Sequence, residues 1–466
     1  MHTPKQPSRA DAGPSAGVAR TSDAAQLRKV ALSSLLGTVL EYYDFMLYGT
    51  MAALVFGHLF FPSTNSAVST IAAFGTLAAG YVARPLGGIV FGHFGDRLGR
   101  KSMLIVTMVM MGGASFVIGL LPDYRSIGVA APVLLVVLRL IQGIAIGGEW
   151  GGAALMVIEH ADDDRRGTWA GVMQLGSPLG FLLSTVVVMA VSALPDDSLY
   201  SWGWRLPFLL CGALVVVGLY VRLGVVESPV YQNAVDKADA EPRSTTPLLA
   251  VLRRPRPLIL ACAAGIGPFA LTALATSHII AYATGIGYHA SEVMRALVAL
   301  SSLSLLTIPL FSALSDRVGR RVVSMVGAVG AVVFAFPMYA LVNTGSAWWL
   351  TVSLLIAQVA QNLMYAPLAP LLAEMFGTKT RYTGVSLGYQ MASLIGAGFV
   401  PLIASSLLAA NGGSSLPLSA IIVVTALVTA AAVARTAETR GRALTAEPHE
   451  PDEVRDGGAI RAPHPT

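Results

Sequence analysis

Arg84-Pro85-Leu86-Gly87-Gly88-Ile89-Val90-Phe91-Gly92-His93-Phe94-Gly95-Asp96-Arg97-Leu98-Gly99-Arg100-Lys101 decides how this chain is read. The stretch lies between two apolar runs, each long enough to cross a bilayer, which takes about 20 residues. Its second half, dense in glycine and charge, returns as Ser312-Ala313-Leu314-Ser315-Asp316-Arg317-Val318-Gly319-Arg320-Arg321, again between apolar runs. A charged loop that recurs once per half implies a chain built by doubling.

Composition agrees. Of 466 residues 54% are hydrophobic and 12% charged, with a mean hydropathy of +0.65. Soluble domains carry about 25% charged residues, so an ordinary soluble domain is excluded. A transmembrane strand barrel would alternate in polarity, whereas these runs are continuous in Leu, Ala, Val and Gly. The expected class is an all-α polytopic membrane protein of 12 spans in two pseudo-symmetric six-helix bundles. The net charge of +5 falls in alternate loops, as the positive-inside rule expects, and does not suggest nucleic acid. Cys211 and Cys262 sit inside apolar runs and read as isolated thiols. No zinc spacing, Walker loop, G-x-S-x-G elbow or H-E-x-x-H motif occurs, which argues against an enzyme or an ATP-driven pump.

Residues 1–27 and 436–466 read as disordered cytoplasmic tails, polar and rich in Pro, Ser and Ala or in Glu, Pro and Arg. Between them, 28–225 and 257–435 form the two bundles, joined by a cytoplasmic loop at 226–256. Spans are expected at roughly 31–54, 69–94, 103–122, 131–159, 168–194 and 203–225, then 257–283, 294–314, 322–342, 347–375, 383–409 and 415–434. With both termini inside, the inner loops hold Arg97, Arg100, Lys101, Arg165, Arg166, Arg317, Arg320, Arg321, Lys379 and Arg381. The loops near 55–68, 284–293, 343–346 and 410–414 hold no Lys or Arg.

Ionisable groups at membrane depth are costly and normally face a cavity or a partner. The first span carries Glu41-Tyr42-Tyr43-Asp44-Phe45 and Tyr48. Glu41 falls about 15 Å from the inner surface, near the midplane, and positions 41, 44, 45 and 48 are read as one helix face. Two carboxylates there need a nearby cation, or one must carry a proton. A carboxyl that carries a proton at depth is what a proton-coupled carrier requires; a permanently paired structural carboxylate is the alternative. Arg84 pairs with Asp44 or Glu41, or snorkels inward. The fourth span aligns Arg139, Gln142, Gly143, Ile146, Glu149 and Trp150, and Glu149 either serves the proton path or pairs with a basic residue on the loop side. Gln174 in span five is a candidate substrate donor. Gln358, Gln361, Asn362 and Tyr365 line one face of span ten, and Tyr389 with Gln390 adds to them from span eleven; such a face calls for a water-filled cavity. No acid sits deep in spans seven to nine, so the proton groups are expected in the first half. His278 on span seven reads more readily as a group hydrogen-bonded within the bundle.

The repeated G-x-x-x-D-R-x-G-R-[RK] loop and the Arg139-Leu140-Ile141-Gln142-Gly143 segment resemble motifs of the major facilitator superfamily of secondary transporters. Glu41 to Phe45 with Tyr48-Gly49, Arg84 to Gly88, Gly148-Glu149-Trp150-Gly151-Gly152, Ser201 to Phe208 and Glu227-Ser228-Pro229 look like its metabolite:proton symporters. That bacterial branch includes shikimate, alpha-ketoglutarate and proline/betaine permeases. Glu159-His160 and Arg165-Arg166-Gly167 look closer to shikimate-like members, and no C-terminal heptad pattern suggests an osmosensing coiled coil. The resemblance, from about residue 30 to 435, implies a bacterial inner-membrane carrier, monomeric and without cofactor, that takes up a small organic solute, expected to be a carboxylate, with protons. It implies proton coupling through Glu41, Asp44, Arg139 and Glu149. Substrate contacts fall to Tyr48, Arg84, Gln174, Gln361, Asn362, Tyr365 and Tyr389. It implies an inner latch from Gly92, Asp96, Arg97, Arg100 and Lys101, mirrored by Asp316, Arg317 and Arg320, and looser where Ser312 replaces the loop's first glycine. The alternatives are an efflux antiporter, which span five argues against by lacking the closing glycine pair of the exporter motif, and a non-transporting membrane sensor.

Overall fold

The computed structural model describes residues 15–62, 66–228, 230–232, 247–442 and 444. Regular structure among them is entirely helical. The first half comprises α1 (Ser15–Met51), α2 (Ser66–Leu98), α3 (Arg100–Leu120), α4 (Ala130–His160), α5 (Arg166–Ser192) and α6 (Asp196–Leu223). The second comprises α7 (Pro255–Gly285), α8 (Ala290–Val318), α9 (Arg320–Val342), α10 (Ala347–Met375), α11 (Arg381–Ala410) and α12 (Leu416–Arg435). Among the described residues, eleven helices are long and apolar enough to cross a membrane. Helix α2 is not among those eleven; it spans 33 residues and holds Pro85 in its interior.

The doubling inferred from the loops recurs in the packing. Within the first half α2 packs on α4, α3 on α4 and α6, and α1 on α5; the second half repeats these as α8 on α10, α9 on α10 and α12, and α7 on α11. The halves meet along α2 with α11 and along α5 with α8, two contacts that the same repeat interconverts. Small residues set the closeness of α2 and α4. A methyl group placed on Gly147 would stand 2.8 Å from the Gly87 Cα, and one on Gly143 2.9 Å from the Ala83 side chain. Lipid gives no hydrophobic drive between helices, so such backbone approach supplies the dispersion contact instead.

Each repeated loop turns on one glycine. Gly99 and Gly319 have φ of 101° and 106°, a region open to glycine at little cost. Each lets one helix end and the next begin at once, at Arg100 and Arg320. The exposed first N–H groups of the new helices are capped from afar. Glu227 accepts from the Arg100 and Lys101 backbone at 3.1 Å, and Glu438 accepts from Arg320 and Arg321 at 3.1 Å. A carboxylate at a helix N-terminus also complements its dipole.

These caps move the expected boundaries. The chain is already helical from Ser15, not disordered to residue 27. Residues 436–442 and 444 are docked rather than lying free beyond 435, because Glu438, Thr439 and the Leu444 carbonyl have partners in the second half and the Arg442 carbonyl has one in the first, Arg166. The 226–256 loop begins with buried Ser228 and ends in a helix, Pro247–Arg253. Residues 1–14, 233–246 and 445–466 lie outside the described residues, so those parts of the expected tails and loop have no structural account.

Crowding at Gly147 gives a test. Gly147→Val is expected to cost about 1–3 kcal/mol by overpacking, read as a lower thermal midpoint in detergent. An unchanged midpoint would show that α2 and α4 do not depend on this contact.

Candidate functional site

A cavity of about 120 Å³ lies between the halves. Glu41, Tyr42 and Phe45 of α1 with Tyr81 and Arg84 of α2 form one wall; Ser304 of α8 with Gln358, Gln361, Asn362 and Tyr365 of α10 forms the other. Tyr389 and Ser393 of α11 complete it.

Glu41 is 4% exposed and its Oε2 has no hydrogen-bond partner. The charges acting on it are the Arg84 guanidinium and, less strongly, the Glu149 carboxylate. Arg84 makes neither of its expected ion pairs. Among the described residues no carboxylate lies within 4 Å of it. Its guanidinium instead rests over the rings of Tyr81 (4.4 Å) and Phe45 (5.2 Å) and donates to Ser393 Oγ across the halves at 3.5 Å. Ring faces orient a cation without neutralising it, so its charge stays available to a ligand.

Asp44 and Tyr48 do not share that wall. Asp44 sits three residues, hence about 60° around the helix, from Glu41, and points into the first bundle. There it meets Arg139 at 3.6 Å and accepts from Ser115 at 2.5 Å and Gln142 at 3.1 Å. Tyr48 lies under the Arg139 guanidinium (4.1 Å) and bonds Thr76 at 2.5 Å. Glu149 is paired in the same bundle with a basic residue on the loop side, the second of its two expected arrangements: Arg222, in the last turn of α6, donates to it at 2.8 Å and Thr107 also bonds it. Neither Arg222 nor Ser115 was marked by the sequence, since each partner lies some 70 residues from its acid.

Tyr365 and Tyr389 stand on the cavity wall as expected, in a chain with Tyr42. The Tyr42–Tyr365 and Tyr365–Tyr389 hydroxyls are each 3.4 Å apart, and Trp150 stacks on Tyr389 with ring centroids 3.5 Å apart. Gln361 and Asn362 also face the cavity. Gln174 does not; its Nε2 donates to the Ala366 carbonyl across the halves at 3.0 Å. The helical partner of that carbonyl would be residue 370, a proline with no N–H, so Gln174 supplies the missing donor.

The repeated loops meet at one end of the molecule and join the halves there. Asp96 accepts from the Tyr382 and Thr383 backbone N–H groups at 3.1 and 3.0 Å and from the Thr383 hydroxyl at 2.8 Å, capping α11. Asp316 caps α5 in the same way, from Gly167 at 2.8 Å and Thr168 at 2.7 Å. Behind each cap a buried acid gathers arginines from both halves. Glu159 meets Arg100 at 3.3 Å and Arg381 at 3.2 Å, with a bond from Ser228. Glu374 meets Arg166 at 3.3 Å and Arg320 at 3.7 Å, with a bond from Thr439. The Arg442 and Leu444 carbonyls then accept from Arg166 and Arg381, each at 2.6 Å.

Gly92 has the place expected of it, since a methyl group there would stand 2.7 Å from the Thr383 Cα. The second latch is no looser. Where Ser312 replaces glycine, the glycine stands opposite: a methyl group on Gly171 would lie 2.5 Å from the Ser312 Oγ. The Arg97 and Arg317 side chains are exposed and stay out of the network; only the Arg97 carbonyl contributes, accepting from Tyr231 at 2.7 Å. One residue advances a helix by about 100°, so these arginines cannot follow the aspartates beside them. Lys101 donates to the Leu223 carbonyl at 3.0 Å, within its own half.

Removing the Asp96 charge should loosen this end. Hydrogen bonds to charged groups contribute about 1.5–3 kcal/mol, so Asp96→Asn is expected to shift the closed equilibrium roughly tenfold or more. Spin labels on the exposed residues Arg97 and Lys379 should then report a second, longer-distance population by pulsed resonance. A single distance, unchanged from the parent protein, would show that Asp96 does not hold the halves together.

Comparisons with known proteins agree with this architecture. The family model described as Major Facilitator Superfamily matches residues 34–387 and 269–464. The chain is 40% identical over 397 residues to the shikimate transporter of Escherichia coli (strain K12), covering 84% of this chain and 91% of that protein. It is 32% identical over 414 residues to the proline/betaine transporter of the same organism, covering 86% of this chain and 82% of that one. Among solved structures, the proton:xylose symporter XylE bound to 6-bromo-6-deoxy-D-glucose superposes with a TM-score of 0.74 at 17% identity, covering 91% of this chain and 98% of that one.

Proposed function

This chain belongs to the Major Facilitator Superfamily, and from that premise we propose a proton-coupled symporter that takes up a small organic carboxylate by alternating access. It is a transporter and not an enzyme, a multi-pass protein of a bacterial inner membrane. The reading rests on one observation above all: Glu41 is a buried carboxyl lacking a partner for its Oε2, in a cavity shared with an arginine that no carboxylate among the described residues pairs.

The chemistry follows from charge. Glu149 and Asp44 each have an arginine of their own, so the moving proton is assigned to Glu41. With Glu41 protonated, Arg84 is the sole charge on the cavity wall among the described residues and anchors an anion. When Glu41 loses its proton, the new carboxylate competes for the field of Arg84 and weakens the hold on the anion. Loading therefore takes both ligands together. The proton gradient serves as the energy source, with no cofactor. A monoanion with one proton moves no net charge, so its uptake follows the pH gradient, whereas a zwitterion with one proton would gain about 2.3 kcal/mol per 100 mV.

Counting α2 as a twelfth span puts both termini on one side, and the positive-inside rule supports reading that side, with its basic loops, as the cytoplasm. The joined end of the molecule is then the cytoplasmic one. Rocking of the halves about the cavity must break the Asp96, Asp316, Glu159 and Glu374 contacts together to open it.

The test is uptake of labelled shikimate, 2-oxoglutarate, proline and betaine into proteoliposomes, with and without an inward proton gradient. The parent protein should accumulate a carboxylate under the gradient, and Glu41→Gln should lower that accumulation at least tenfold while exchange across equal gradients persists. Equal accumulation by both proteins would remove Glu41 from the coupling. Substrate driven outward by the same gradient would make the protein an exporter.

A further inference from the structure

The second wall of the cavity is an amide and hydroxyl cluster in which the hydrogen bonds fix the Gln358 amide and leave its oxygen unused. The Ser304 hydroxyl donates to the Leu300 carbonyl at 3.1 Å and the Thr307 hydroxyl to the Leu303 carbonyl at 3.0 Å. Both hydrogens are thereby spent on the α8 backbone. The two oxygens remain as acceptors, which fixes the amides facing them: Gln358 Nε2 donates to Ser304 at 2.9 Å, and Asn362 Nδ2 donates to Ser304 at 3.1 Å and Thr307 at 2.7 Å. Gln358 Nε2 also lies 3.0 Å from Gln361 Oε1 and 3.1 Å from Asn362 Oδ1. Turning the Gln358 amide over would set its oxygen against these acceptors, so its orientation follows from the network. The amide hydrogens of Gln358 and Asn362 are consumed internally. What is left over is an acceptor, Gln358 Oε1, buried and without a partner, on a side chain 7% exposed that lines the cavity.

We propose that Gln358, held by Ser304 and Asn362, forms a subsite that accepts a hydrogen bond from a hydroxyl group of the substrate. The inference rests on the carboxylate reading of the Arg84 pole and narrows it to hydroxylated carboxylates. A buried acceptor that is left unmade disfavours any ligand lacking a donor. An ammonium group would also donate, but it would be desolvated here with no counter-charge, since the only acid lining the cavity among the described residues is Glu41, on the opposite wall. A quaternary ammonium has no donor at all. The substrate thus spans the cavity, its carboxylate toward Arg84 in the first half and its hydroxyl toward Gln358 in the second, and so bridges the two bodies that must move.

The experiment compares binding of matched pairs to the full-length protein in detergent by calorimetry: shikimate against cyclohex-1-ene-1-carboxylate, and quinate against cyclohexanecarboxylate. The parent protein should bind the hydroxylated member of at least one pair about tenfold or more tightly. Gln358→Met should collapse that ratio to within about twofold, by weakening the hydroxylated ligand while leaving the other unchanged, which also reports that the cavity is intact. Gln358→Asn, which shortens the amide but keeps its chemistry, should retain part of the preference and serves if the methionine variant does not fold. A ratio unchanged in either folded variant, or a parent protein indifferent to hydroxylation, would overturn the subsite while leaving the carboxylate reading in place. Binding of neither member of any pair would instead overturn the carboxylate reading, and the subsite with it.

Discussion

A carboxylate or guanidinium withdrawn from water costs several kcal/mol unless a partner and further hydrogen bonds replace the lost hydration, and the layout of this protein follows from how it meets that cost. Asp44 has Arg139, Ser115 and Gln142; Glu149 has Arg222 and Thr107; Glu159 and Glu374 each have two arginines and a hydroxyl. These acids are tied within a bundle or across the closed end. Glu41, the one acid lining the cavity among the described residues, has a buried oxygen without a partner, and Arg84, the one arginine there, is oriented by rings rather than matched by an acid. Paired charges build the scaffold, and the unmatched two are where a ligand and a proton can act.

The same accounting separates what moves from what does not. Asp44–Arg139 and Glu149–Arg222 lie wholly inside the first half, so the proposed rocking would leave them made. The Asp96 and Asp316 caps, and half of the arginine contacts of Glu159 and Glu374, cross between halves. Breaking them exposes the acids to water at the membrane surface, where hydration replaces the lost bonds; deep in the bundle no such replacement exists. Under the proposed rocking, the contacts that must break thus sit at the loops and those that persist sit within the first bundle. The chain beyond α12 belongs to this apparatus, because its carbonyls accept from one arginine of each half.

Much of the fold was legible because it depends on quantities a sequence displays: run length, charge scarcity and a loop that occurs twice. The cavity residues Glu41, Gln361, Asn362, Tyr365 and Tyr389 were legible as polar groups at membrane depth. What escaped depends on angle and on distant pairing. Glu41 and Asp44 read as one face, yet about 60° of helix sends one to the cavity and the other into the bundle. The aspartates of the repeated loops signalled their role, while the neighbouring Arg97 and Arg317 face away. The docked tail had a signal that went unread: Glu438-Thr439 follows the second bundle as Glu227-Ser228 follows the first, each acid capping the helix after a repeated loop. Pro370 likewise marked a free carbonyl at Ala366, and with it the use of Gln174.

The central claim is that anion binding at Arg84 and protonation of Glu41 are one event. Proton uptake on ligand binding tests it without transport: the solubilised protein, weakly buffered with a pH indicator, is titrated with a carboxylate it binds, at several pH values around neutrality. The account predicts close to one proton taken up per anion bound over part of that range, and none in Glu41→Gln. Equal proton uptake by both proteins would contradict it and place the coupled proton on another group.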